Sequence, residues 1–364
     1  MRLPPLPTIG DVVRLHKLSA VKKLSQNFIM DMSLNRKIVQ YAGKLDGCHV
    51  CEVGPGPGGI TRAILERDIA HLHVIEKDRR FLPGLEMLAN ASGCLTVHQG
   101  DVLRFDMGNL FPEECVRPWS DNEPHLHIIG NLPFNVATPL IFQYMEAISN
   151  RTGAWRYGRT RMTLTFQKEV AERMVATTHS KQRSRLSLDI QNLCEVKLKK
   201  IIPGSAFVPS PEVDVGVVHL VPRKKPRIDL PYRLIKKVNR HLFHYRQKMC
   251  KNSLCTLFPA DQPELVIELL EDANINPAKK SVDFTMNQID RLCHSYNKIC
   301  QRLPYIYDYE YRDPKSLKHY KELSELEKEL QYRPTFDDDD LITDRDLLDD
   351  NDLEFDHVEE SETI

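Results

Sequence analysis

Three signals in the first hundred or so residues mark where this chain could hold a nucleoside. The run Gly54-Pro55-Gly56-Pro57-Gly58-Gly59 follows a short apolar stretch, His49 to Val53, and precedes a helical pattern from Ile60 to Glu66. A glycine turn between strand and helix lets the backbone approach a ligand free of Cβ atoms and sets helix N-terminal amides beside it. Alone, such a turn serves a dinucleotide, a phosphate, an adenosyl group or only a tight bend, and G-P-G-P-G is not the G-x-G-x-x-G of dinucleotide sites. Glu76 narrows the choice. It ends the next strand, where a carboxylate accepts hydrogen bonds from both hydroxyls of a ribose and repels a phosphorylated one. Gly100-Asp101-Val102 follows the third strand and offers the Asp101 carboxylate to an adenine amine and the Val102 amide to a ring nitrogen. Singly, each acid is more often a cap or a surface charge. In this order, each at a strand's carboxyl end, they point to an adenosyl ligand lying across the crevice of an α/β sheet.

A fourth motif, Asn131-Leu132-Pro133-Phe134, follows a further strand and resembles the N-L/P-P-aromatic motif of amino-directed methyltransferases. With Lys23-Leu24-Ser25-Gln26-Asn27-Phe28 upstream and Ala206-Phe207-Val208-Pro209-Ser210-Pro211 downstream, the chain resembles the ribosomal RNA adenine dimethyltransferase family from Lys23 to about Val221. Phe134 where bacterial members usually carry tyrosine, the Arg-Leu-Pro-Pro-Leu-Pro-Thr-Ile start, and the run Phe166 to Arg173 resemble its animal mitochondrial members. The resemblance implies a Rossmann-like methyltransferase domain that uses S-adenosyl-L-methionine, with a smaller C-terminal α-helical domain. It implies dimethylation of the N6 amine of adjacent adenosines in a hairpin near the 3′ end of mitochondrial small-subunit, 12S-type ribosomal RNA, in support of subunit assembly. The segment after about Pro304 lies outside it.

An adenine amine is a poor nucleophile because its lone pair is delocalised into the ring. The Asn131 side-chain oxygen and the Leu132 carbonyl can accept its two hydrogens and favour a pyramidal nitrogen, and Pro133 fixes the turn that aims the carbonyl. Phe134 can stack on the base, and by resemblance Phe207 covers the opposite face, a contact worth about 1 to 3 kcal/mol per base in single-strand recognition. Both rings have a structural alternative, Phe134 in the core and Phe207 beneath the Pro209 turn. No strong general base and no metal is required, since rate comes from positioning and electrostatics. The resemblance further implies Gln26, Asn27 and Ile29, with Phe28 between them, as a lid over the cofactor. It places Gly54, with Gly56 and Gly58, on the methionine side, Glu76 on the ribose, Asp101 and Val102 on the adenine, and Lys77 beside them.

These motifs need a sheet that ends them together. Short apolar runs at Leu72 to Ile75, His127 to Ile129, Met162 to Phe166 and Val215 to Val221 alternate with helical patterns, which predicts a mainly parallel sheet covered on both faces. After Pro222 the pattern turns helical, with helices expected over Pro231 to Leu257, Gln262 to Asp272 and Thr285 to Gln301. The division is a basic targeting segment or arm at 1–22, a catalytic domain at 23–222, a helical RNA-binding domain at 223–304 and a charged extension at 305–364.

The net charge of −1 conceals an asymmetry: Phe336 to Ile364 holds 14 of the 51 acidic residues and a single basic one, so the remainder carries 49 basic against 37 acidic residues, +12. Such a body suits a polyanionic partner, and the acidic end has the composition of a solvated tail. Lys236, Lys237, Arg240, His241, His244, Arg246, Lys248 and Lys251, interleaved with Phe243 and Tyr245, form the densest basic and aromatic stretch of the second domain, joined by Arg183 and Arg185 nearer the catalytic motifs. Phosphate contacts are expected from Arg183, Arg185, Lys236, Lys237, Arg240, Arg246, Lys248 and Lys251. Nine cysteines without framework spacing favour a reducing compartment, and Cys48 and Cys51 are strand thiols. The basic start resembles an organelle-targeting segment, which with the resemblance points to the mitochondrial matrix. No run reaches the roughly 18 apolar residues of a membrane span, and a monomer is expected. The partners expected are the small-subunit RNA or pre-ribosomal subunit and, secondarily, the mitochondrial transcription machinery. Two rivals remain at this point, a DNA N6-adenine methyltransferase and a non-catalytic transcription cofactor. A chain of the latter kind has no need to keep Asn131, Pro133 and two facing aromatics.

Overall fold

The computed structural model describes residues 7–15, 27–313, 315–318 and 320. Gln26 and the acidic tail lie outside the described residues, as does most of the basic start. The chain runs α1 (Ile9–Leu15), β1 (Phe28–Ile29), α2 (Met32–Tyr41), β2 (His49–Val53), α3 (Gly59–Leu65), β3 (His71–Glu76), α4 (Leu82–Ser92) and β4 (Leu95–Gln99). It continues through β5 (Leu126–Gly130), α5 (Phe134–Asn150), β6 (Arg161–Gln167), α6 (Lys168–Val175), α7 (Arg185–Leu193), β7 (Cys194–Ile202), β8 (Phe207–Val208) and β9 (Val215–Pro222). The helical region follows as α8 (Tyr232–Leu242), α9 (Cys250–Leu254), α10 (Glu264–Asp272), α11 (Met286–Arg302) and α12 (Tyr305–Asp308).

Seven strands form one sheet in the order β4-β3-β2-β5-β6-β9-β7. The first five are parallel, and β9 is antiparallel to both of its neighbours. Strand β2 shows why the central runs are continuously apolar. Cys51 and Val53 enter the core on one face, with Ile128, Met145 and Leu164, while Val50 enters the other, with Leu72, Ile64 and Leu85. Both faces are therefore buried, as parallel sheets require. Strand order reverses between β2 and β5, so the turns leaving these two strands diverge and open a crevice at their carboxyl ends. The glycine turn and Asn131 sit on its two sides.

The catalytic strands follow the apolar runs closely, but three features depart from the sequence reading. Strand β7 escapes periodicity because it is a sheet edge whose exposed positions are Glu195, Lys197, Lys199 and Lys200, with a bulge between Leu198 and Lys200. The helix expected over Pro231 to Leu257 breaks at Leu242, and the chain restarts helically only at Cys250. No glycine or proline signals this break, which tertiary pairing makes: Met249 bridges Lys280, and the Cys250 amide donates to the Lys279 carbonyl. Finally, the boundary at 304 is too early, because Tyr305, Ile306, Tyr309 and Tyr320 are buried in the helical core with Leu234, Val238 and Tyr296.

Candidate active site

Glu76 organises the crevice. Its two carboxylate oxygens each accept from a backbone amide, Oε2 from Gly56 at 2.9 Å and Oε1 from Asp78 at 2.7 Å. The side chain is 5% exposed, and burial raises its pKa against the pull of those amides. The carboxylate thus ties the glycine turn to the end of β3 while lining the cavity. Gly56 has φ +53°, and a Cβ there would stand 3.0 Å from the Phe28 ring, so glycine admits both the turn and the lid residue. Gly58 is a correction. It does not line the cavity; its φ is +85° and a Cβ would meet Leu88 at 2.9 Å, so it serves the packing of α3 on α4.

Just beyond β4, Asp101 accepts from Lys77 Nζ at 2.8 Å and from the Leu103 amide at 3.1 Å. Burial opposes its ionisation, but the ammonium and the amide outweigh that and hold the carboxyl below its usual range. Asp101, Lys77 and Val102 all line the cavity, as do Asn27, Phe28, Ile29 and Gly54. Two lining residues carry no motif-level signal. Glu52, on β2, is 1% exposed and hydrogen-bonds the Thr61 hydroxyl at 2.6 Å; burial pushes its carboxyl up to about 8. Asn35, on α2, is fully buried, donates to the Ile29 carbonyl at 3.1 Å, and leaves its Oδ1 without a protein partner. Glu52 stood inside the strand pattern that announced the glycine turn, and a buried acid there was the available clue.

The donor set fits S-adenosylmethionine: a paired acceptor beside a side-chain-free turn, a carboxylate at the far end, and buried acceptors at Asn35 and Glu52 for a cationic group. The Glu76 and Asp101 carboxylates in this wall would repel a phosphate, and the Lys77 ammonium that also lines it is already paired with Asp101.

Asn131 leaves β5 directly into the cavity wall. Its Nδ2 donates to the Asn27 carbonyl at 2.9 Å, and its Oδ1 accepts from Thr165 Oγ1 at 2.8 Å. Leu132 is buried, Pro133 caps α5, and both line the cavity. Phe134 opens α5 half-buried against the core that contains Phe207. Phe207 itself is 2% exposed, belongs to the same core as Ile29 and pairs with it in the small β1–β8 sheet, so it is a core residue here and offers no free face to a base.

The phosphate-contact residues divide sharply. Arg183 is 2% exposed and donates to the carbonyls of Ala176 and Phe284, tying the α6–α7 connection to the start of α11. Arg185 is buried with its guanidinium 4.9 Å from the Phe142 ring centroid. Lys237 is buried and donates to the carbonyls of Ile306, Tyr307 and Tyr309. Lys236 lies 3.7 Å from Glu146, and Arg240 pairs with Glu310 at 2.5 Å. These are corrections, and for Lys237 the cause is helix phase: α8 buries Leu234, Val238 and Leu242, and Lys237 and His241 share that face at helical spacing. Lys236 and Arg240 are instead engaged by carboxylates, and Arg183 and Arg185 by carbonyls and a ring on other elements. Lys248 and Lys251 remain exposed. Arg246, half-buried, donates to the Lys181 carbonyl across the two regions.

Fold and site together define an α/β protein built to hold an adenosyl ligand at its strand-order reversal, with an acceptor-bearing amide beside it. The chain belongs to the ribosomal RNA adenine dimethylase family, whose model matches residues 17–293. It is 48% identical over 344 residues to the mitochondrial dimethyladenosine transferase 1 of Xenopus laevis, covering 94% of this chain and 97% of that one. To the Homo sapiens protein of the same name it is 51% identical over 330 residues, covering 90% and 95%. Among solved structures, a Plasmodium falciparum dimethyladenosine transferase aligns with TM-score 0.58 at 23% identity, over 74% of this chain and 96% of that one. The 23S rRNA methyltransferase ErmE aligns with TM-score 0.52 at 19% identity, over 74% of this chain and all of the other, and both likenesses concern the fold.

Proposed function

We propose that this chain transfers methyl groups from S-adenosylmethionine to the N6 amine of adenosines in small-subunit ribosomal RNA, twice at each nitrogen. The observation that carries the reading is the Asn131 amide, held from both ends at the edge of a cavity that suits an adenosyl group. When bound, S-adenosylmethionine supplies an electrophilic sulfonium methyl. Glu76 would hold the ribose, Asp101 and Val102 the adenine, and Asn35 and Glu52 the amino-acid end. The free lone pair of Asn131 Oδ1, with the Leu132 carbonyl, would accept the hydrogens of the target amine, and Phe134 would stack on the base. A purely nucleic-acid-binding role in transcription would leave this arrangement without a task.

For the RNA we propose docking on the exposed lysines that remain, Lys248 and Lys251, with Lys181 and Lys280 on loops joined to theirs. Tyr245 and Met249, 44% and 54% exposed, stand among them as apolar contacts for nucleotides. The finer reading is a hairpin near the 3′ end of the small-subunit RNA, modified by a monomer in the mitochondrial matrix; the relatives' names support the mitochondrion. No helix among the described residues is long and apolar enough to cross a membrane. The test is methylation of such a hairpin by the purified protein, read by mass spectrometry, against duplex DNA at matched salt. N6,N6-dimethyladenosine in the RNA alone is the expected result, and its absence from RNA overturns the reading.

A further inference from the structure

Thr165 lies fully buried near the carboxyl end of β6, and no motif draws attention to it. The parallel register of β5 and β6, with Gly130 opposite Leu164, brings the next residues, Asn131 and Thr165, side by side. The Thr165 hydroxyl donates to Asn131 Oδ1 at 2.8 Å while Asn131 Nδ2 donates to the Asn27 carbonyl at 2.9 Å. A backbone carbonyl can only accept, so the amide nitrogen must face Asn27 and the oxygen must face Thr165. The neighbours thereby fix which way the Asn131 amide points. Thr163, on the same face of β6, is committed elsewhere, to His127 and His219 at 2.9 Å each.

We propose that Thr165 is a positioning residue for methyl transfer, acting solely through Asn131. Resting on the reading above, the inference is that its hydroxyl occupies one lone pair of Oδ1 and holds the amide in plane. The second lone pair is then left aimed at the substrate amine. A small rotation of that acceptor costs rate without costing affinity, because the amine is gripped hardest in the transition state.

Single-turnover methylation of the RNA hairpin is measured for wild type first; failure there removes the methyl-transfer reading rather than this one. With wild type active, Thr165→Val, which keeps shape and loses the hydroxyl, is expected to slow transfer on the order of tenfold to a hundredfold. S-adenosylmethionine and RNA affinities should stay near wild type, and Thr165→Ser should restore most of the rate. In an Asn131→Ala background, Thr165→Val should add no further loss, since its route is already gone. A wild-type rate in the valine variant, or an added loss in the double variant, overturns the proposal. Should the valine variant not fold, Thr165→Ser and Thr165→Ala carry the comparison, and equal rates in those two overturn it as well.

Discussion

The crevice between β2 and β5 and the face of α8 draw on the same stock of charged and amide side chains and use them in opposite ways. In the crevice each polar group is held on one side and open on the other: Glu76 by two backbone amides, Asp101 by Lys77 and Leu103, Asn131 by Asn27 and Thr165. On α8 and its neighbours the polar groups are consumed by the fold. Lys237 serves three carbonyls, Arg183 two, and Asn239 donates to Asp189 at 2.7 Å in the seam with α7. A charge at a parallel strand's end faces the crevice because the sheet leaves it no other place. A charge on a helix faces wherever the phase sends it, and a basic run is no basic surface until that phase is known.

The sharpest way to break this comparison is at Asn131. Replacement by alanine removes the acceptor and should lower single-turnover methylation on the order of a hundred- to a thousandfold, with cofactor affinity little changed. Calorimetry beside the kinetics separates the two, and near-normal turnover would remove Asn131 from the mechanism. Glu76→Ala comes next. It deletes the acceptor proposed for the ribose and leaves the amides of Gly56 and Asp78 without their partner, so S-adenosylmethionine binding should weaken about a hundredfold while hairpin binding holds. Unchanged cofactor affinity in a folded variant would contradict it.

On the helical side the comparison predicts that two lysines behave unlike. Lys237→Ala removes the donor that three core carbonyls share, of which Ile306 keeps the Tyr296 hydroxyl, and should cost about 2 to 4 kcal/mol of stability, read by denaturant titration, without weakening RNA binding in the protein that remains folded. Lys248→Glu with Lys251→Glu should leave stability within about 0.5 kcal/mol and weaken RNA binding about tenfold at moderate salt, with a shallower salt dependence. If the two sets exchanged phenotypes, the division between buried and exposed cations would be wrong.

Much of the site is legible because its residues close successive strands: Gly54, Glu76 and Asn131 each follow an apolar run and Asp101 follows the strand between the last two, and chain order alone predicts their convergence. What stayed hidden is what depends on packing between segments. Thr165 and Asn35 gain their meaning from a register and a helix docking that no local pattern displays. The resemblance implies a place for Phe207 on the base, but its burial is decided by the β1–β8 pairing. The edge strand β7 alternates lysine with smaller residues and resembles solvated chain until β9 is seen beside it.

The mildest effect should come from Glu52, and its sign follows from burial. In the free protein the carboxyl titrates near 8, because burial penalises its charge more than the Thr61 hydroxyl supports it. At neutral pH it is therefore largely a neutral acid. Its folded pKa lies above the unfolded value, so the stability it contributes is complete below about 4.5 and is lost as pH rises through about 8. A ligand bringing positive charge beside it reverses the preference and drives the proton off. Affinity for S-adenosylmethionine should then climb with pH up to about 8, by at most about tenfold per unit, and level off above. Asp101, whose carboxyl is held low, is already ionised throughout that window. Glu76 is also raised by burial, so the assignment needs Glu52→Gln: the variant should lose most of the pH dependence and bind about as wild type does at the acidic end. Calorimetry in two buffers of different ionisation enthalpy counts the proton directly. Equal heats in both buffers at pH 7, or a pH dependence that survives in the glutamine variant, would mean that Glu52 does not meet the cation.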